Sequence, residues 1–139
     1  MISNETSEPL EDCAEVPRLP ELSAPVILKN VWYEIEKLKN APTWQLTTGH
    51  SSETLAKYPD FTVVLVLMKA TTVMSKHRVS GRASISVIQG SIEVHLSEEQ
   101  TLHLSAGEIL MMDKGITHDV QALEECAFLL TIAGIPGSI

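Results

Sequence analysis

Cysteine is scarce in this chain: Cys13 and Cys126 are the only two among 139 residues. One lies in a tract rich in proline and glutamate and the other in an apolar run, which excludes a disulfide framework and points to a reducing, cytoplasmic setting. Basic charge is also short, with 10 Lys and Arg against 18 Asp and Glu and a formal net charge of −8. Nucleic-acid binding needs clustered Lys and Arg, so no DNA or RNA partner is expected. Long apolar runs are missing too. The longest, Val63 to Met68, falls far below the roughly 20 residues of a membrane-spanning helix, and no basic, apolar, small-residue series opens the chain as an export signal would. The expectation is no membrane partner. What is present is enough for one core: the length suits a single domain, and 44% of the residues are hydrophobic.

Pro9, Pro17, Pro20 and Pro25, with six acidic side chains set against Arg18 alone, mark residues 1–25 as a disordered or loosely draped arm. Residues 26–139 read as one domain. Val26, Ile27 and Leu28 offer an apolar strand that an arm of this kind can exchange onto a second subunit. From Asn30 to Asn40, Val31, Ile35 and Leu38 recur at helical spacing, with Asn30 as the N-cap and Pro42 beyond the end. This is one short amphipathic helix. From Thr43 onward, β-branched residues on a period of two alternate with turn residues. The strands expected are Trp44–Thr48, Phe61–Lys69, Val73–Arg78, Ala83–Ile88, Ile92–Leu96, Thr101–Leu104, Ile109–Met112, His118–Gln121 and Ala127–Ala133. So many short strands at close spacing predict an all-β fold, a jelly-roll barrel carrying one short N-terminal helix. The run FTVVLVLM from Phe61 barely alternates, so one face should meet the core and the other a second sheet or a second subunit.

Two blocks carry most of the functional information, HRVSGRASISVIQG from His77 to Gly90 and GEILMMDKGITH from Gly107 to His118. Residues two apart on a strand share a face, so positions 77 and 79 point together into a barrel, as do 83, 85 and 87 on the next strand. Gly90, Gly107 and Gly115 fall where tight turns need positive φ. The blocks resemble the paired motifs of the cupin superfamily, with matches at His77, Gly90, Gly107, Gly115 and His118, over roughly residues 60–133. The resemblance implies a cupin barrel in which four inward positions ligate a metal. Two of the four depart from the pattern: Val79 stands at the second-histidine place and Ala83 at the glutamate place. Asp113 stands where proline is usual. The segment EECAFLLTIA from Glu124, with KYPDF, Gly81–Arg82 and His118–Val120, also resembles short bacterial cupins of unassigned function, which implies a stand-alone domain.

Two imidazoles fall short of the three or four protein ligands that hold a catalytic zinc, or the two histidines and a carboxylate that hold a non-haem iron. The site expected is therefore a small-molecule pocket, non-catalytic or weakly metal-dependent. A divalent Fe, Mn, Ni or Zn would rest on His77 and His118 alone, and Val79, Arg82, Ala83, Ile85, Val87 and Met111 would line a mostly apolar cavity. Two other readings stand beside it: a metal-dependent dioxygenase or isomerase with a third ligand still to be placed, and an interaction module whose barrel is closed. Partners expected are a small ligand and a second copy, docked through a sheet face. His95 and His103 on one hairpin, and His50 in a polar segment, read as solvated residues. Arg78 flanks the mouth, and Glu108 and Asp113 belong to turns. No nucleophile arrangement and no phosphate-cradling glycine loop occurs.

Overall fold

A computed structural model describes residues 20–78, 80–96 and 99–134, with only the backbone of Pro20, Lys76 and His77. Residues 1–19 of the expected arm, and Val79, lie outside the described residues. After a 3-10 turn at Pro20–Ser23 come helices α1 (Val31–Lys39) and α2 (Pro42–Gln45) and strands β1 (His50–Tyr58), β2 (Phe61–Met68), β3 (Val73–His77), β4 (Arg82–Gln89), β5 (Ser91–Leu96), β6 (Gln100–Ser105), β7 (Ile109–Met112), β8 (His118–Ala122) and β9 (Cys126–Ala133). They form two antiparallel sheets, in the orders β1-β2-β9-β4-β7 and β3-β8-β5-β6, closed face to face as a jelly roll. No helix among the described residues is long and apolar enough to cross a membrane.

The period of two is clearest in β5, where Ile92 and Val94 are buried while Glu93 and His95 turn outward. The inner faces of both sheets meet in one cluster that includes Met68, Ile85, Val87, Ile92, Val94 and Phe128. The two apolar faces of β2 have separate partners. Val66 and Met68 belong to this inner core, while Leu65 and Leu67 pack outward against Ile35, Leu38 and Trp44. The outer cover of β2 is thus a helix, where the sequence suggested a second sheet or subunit.

Helix α1 begins where its cap requires: the Asn30 side chain accepts from the Tyr33 N–H at 3.0 Å, satisfying a donor that the first turn leaves unpaired. It is pinned to β1 by charge. Lys37 Nζ lies 3.0 Å from Glu34 and 3.3 Å from Glu53, with Glu34 buried. Burial pushes the Glu34 carboxyl up, but Lys37 and the Glu53 carboxyl outweigh it and hold Glu34 below its usual value. Burial first, and then the Glu34 charge, keep Glu53 above its usual value against the pull of Lys37.

Two sequence expectations are corrected here. Trp44–Thr48 is not a strand; Pro42 supplies the φ of a first helical position, and Pro42–Gln45 is a helical turn that drops Trp44 into the outer core beneath Lys69. Strand β1 takes up residues read as a polar segment, His50 included. Its sequence HSSETLAKY lacks alternation because it is an edge strand with a register shift between Thr54 and Ala56.

Gly90 closes the β4–β5 hairpin at φ +78°, and a Cβ there would meet the Glu125 carbonyl oxygen at 2.4 Å. Gly107 and Gly115 also have positive φ, +93° and +80°.

Candidate functional site

The two ends of the barrel are built differently. At one end lie the turns joining β2 to β3, β4 to β5, β6 to β7 and β8 to β9. Their backbones bond to one another: Thr71 N–H to Ala122 O, Ala122 N–H to Thr72 O, Leu123 N–H to Ser91 O and Gly107 N–H to Val87 O, all within 3.1 Å. The inward residues there are buried, with Val66, Phe128 and Val87 in register across one sheet and Ala122, Ile92 and Leu104 across the other. This end is a floor. At the opposite end, short segments lead from β3 to β4 and from β7 to β8, which places the start of β4 beside the start of β8.

Toward that second end the inward residues open to solvent. Val64 and Leu130, then Thr62 and Ile132, face each other across β2 and β9 and are half-buried. Leu96 on β5 and Ile116 before β8 are half-buried as well. Inside this mouth sits His118, 2% exposed, in register with Leu96 on one side and with His77 on the other. Its Nδ1 donates to the Ile116 carbonyl at 3.1 Å, which leaves the lone pair of the neutral ring on Nε2. Ala83 completes the rim from β4 as a buried methyl group opposite Ile132 and Met112.

The remaining residues singled out from sequence separate into floor and outside. Ile85 and Val87 point inward but are 1% exposed, so they pack the core below the mouth and do not line open space. Met111 and Arg82 were expected in the cavity, and the structure places both outside it. Because Ala83 pairs with Met112, and Ser84 with Met111, the inward residue of that β7 pair is Met112; Met111 is 68% exposed on the outer face. Arg82 is exposed on the same outer face, with its Nε 3.0 Å from Asp113. Arg78 is exposed, and Glu108 accepts from the Ser105 N–H in its own turn. Val79 lies outside the described residues. The wall residues that sequence reasoning missed are Thr62, Val64, Leu130 and Ile132. Their period of two was visible, but β2 and β9 are apolar on both faces, so alternation alone could not say which face looks inward.

The donor set does not fit a three- or four-ligand metal. Position 83 offers a methyl group and position 79 is valine, and among the described residues no group of three His, Cys, Asp or Glu side chains could hold an ion. Cys126 is no substitute, since it lies on the floor and burial pushes its thiol up to about 11. His95 and His103 face the other way, on the outside of the four-stranded sheet. There His95 is held between Asp119 on Nδ1 and Glu93 on Nε2, the latter at 3.2 Å, and this pair of carboxylates raises its pKa.

No protein-family model and no curated protein matches the sequence. Solved structures do match. A cupin superfamily protein from Desulfitobacterium hafniense superposes with a TM-score of 0.63 at 17% identity, over 84% of this chain and 97% of that one. An RmlC-like cupin family protein with a double-stranded β-helix fold, from Methanocaldococcus jannaschii, gives 0.59 at 15% identity over 66% and 86%. An RmlC-like cupin from Shewanella frigidimarina gives 0.59 at 13% over 66% and 82%. With two antiparallel sheets closed over one core, glycines at the motif turns and a buried histidine in the mouth, the chain has the fold of the cupin superfamily.

Proposed function

We propose that this barrel binds a small, largely apolar organic molecule through its open end and does so without a catalytic metal. The observation that carries this reading is the gradient of burial along the inner wall. Side chains at the floor are closed off from water, those of Thr62, Val64, Leu130 and Ile132 are not, and one buried imidazole stands among them. A concave apolar wall with few polar anchors is the usual form of a small-molecule site. His118 places a polar ring among these apolar walls. Val79 and Ala83 remove the donors that would make the same place a metal centre. The barrel is read as a ligand-binding domain.

Two measurements test this. Elemental analysis of the purified protein should find iron, manganese, nickel and zinc well below one per chain; a near-stoichiometric metal that is lost in both His77→Ala and His118→Ala would make the site a metal centre and end the proposal. Titration with hexanoic acid, hexanol and phenol should raise the melting temperature of the wild type, since a ligand that binds only the native state stabilises it. Ile132→Trp, which fills the mouth, should abolish that shift, and His118→Ala should reduce it. A shift unaffected by Ile132→Trp would place binding outside the barrel.

A further inference from the structure

Outside the barrel, one end of the five-stranded sheet carries a depression. Register sets Ala133 beside Arg82 in one row across β9 and β4, and Thr131, Ser84 and Met111 in the next across β9, β4 and β7. Asp113, just past β7, extends the first row, with its Oδ1 3.0 Å from Arg82 Nε. Small side chains lie between long ones here. A hollow of about 400 Å³ therefore opens over Ser84, Thr131 and Ala133, walled by Arg82, Asp113 and Met111. That volume falls within the roughly 300–1,000 Å³ of small-molecule sites. These residues alternate along β4 and β9 with Ala83 and Ile132, which face inward, so the hollow lies on the opposite side of the sheet from the mouth.

We propose that this hollow binds a free α-amino acid with an apolar side chain. The ion pair is the first argument. Asp113 Oδ1 faces Arg82 Nε and also accepts from the Lys114 N–H at 2.8 Å. Its Oδ2 and the N–H groups on the terminal nitrogens of Arg82 remain for a ligand. The Lys114 N–H first, and then Arg82, hold the Asp113 carboxyl below its usual value, so it is charged at neutral pH. An α-amino acid carries its ammonium and its carboxylate on one carbon, and so presents two opposite charges as close together as the pair does. The carboxylate meets Arg82 and the ammonium meets Asp113, in charge-assisted hydrogen bonds. An exposed ion pair gains little from its own contact, which leaves both charges open to such a partner. Asp113 also repels a plain carboxylate or phosphate, so the corner selects a molecule bearing both signs. The floor is the second argument. The hydroxyls of Ser84 and Thr131, neighbours in register, are half-buried and make no side-chain hydrogen bond to any described residue. They face the same space as the guanidinium, and Met111 and Ala133 give an apolar side chain its wall.

Titration of the isotope-labelled full chain with leucine to about 20 mM, followed by amide NMR, tests the proposal. The expected result is saturable shifts of the Arg82, Ser84, Asp113 and Thr131 signals. N-acetyl-leucine, which lacks the cation, and leucine methyl ester, which lacks the carboxylate, should each bind at least about tenfold more weakly. Arg82→Gln and Asp113→Asn should weaken leucine binding to the same extent, and Val73→Gln, an exposed position on the other sheet, should leave it unchanged. The same spectra show that each variant is folded. Absence of any saturable shift would overturn the proposal, as would equal binding of either derivative or leucine binding that persists in both folded charge variants. Shifts confined to Thr62, Val64 and Leu130 would place leucine in the mouth, overturning this site while leaving the reading of the barrel intact.

Discussion

The floor and the mouth of the barrel are made from the same strands, a few residues apart, yet they are different materials. Along β9, Phe128 is 1% exposed and Ile132, four residues on and on the same inner face, is half-buried. The floor has every inward side chain packed and its turns bonded backbone to backbone. The mouth keeps half-buried apolar walls beside the buried His118.

Truncating each end should break or confirm that division. Phe128→Ala removes a fully buried ring from the floor and should cost about 3–5 kcal/mol in urea denaturation, whereas Ile132→Ala at the mouth should cost only about 1–2, because water already touches the side chain. Equal costs would mean that the mouth is packed as tightly as the floor. Next in size is Gly90→Ala, expected to cost about 1–3 kcal/mol by the same measurement, since alanine must adopt φ +78° with its Cβ against the Glu125 carbonyl. Gly115→Ala, at the mouth end, meets no atom within 4 Å and should cost less, leaving only the strain of positive φ.

The smallest effect separates the inside of the mouth from its outside. His95 and His118 occupy adjacent registers on β5 and β8, one on the outer face and one buried in the barrel. Asp119 first, and then Glu93, raise the His95 pKa above its unperturbed 6.5. A raised folded value means stabilisation that is complete below pH 6.5 and is lost as pH rises through the folded pKa. The melting temperature of the wild type should therefore fall relative to that of His95→Gln as pH rises from about 6.5 through the folded pKa, by a small amount because the side chain is one-third exposed. A difference that grows as pH rises would contradict the assigned pair.

Much of the fold was legible locally. Asn30 marked the start of α1, period-two patterns located eight of the strands closely, and the spacing of Gly90, Gly107, Gly115, His77 and His118 pointed to the barrel and to the mouth. Strand β1 escaped notice because an edge strand with a bulge need not alternate, and Trp44 misled because an aromatic beside β-branched residues suits a strand as well as a buried helical turn. At the site, Val79 and Ala83 were readable as missing donors from their residue types alone.

The sequence by itself determined which residues share a face, which positions had to be glycine and which metal ligands are absent, because these follow from backbone geometry and side-chain chemistry within a few residues. Which face looks inward was decided only by tertiary structure. Ile109 and Met111 do lie on one face together, as their spacing requires, but pairing Met112 with Ala83 turns that face to the outside. A shift of one residue in register exchanges the two faces of a strand, and that register is fixed by partners far away in the chain.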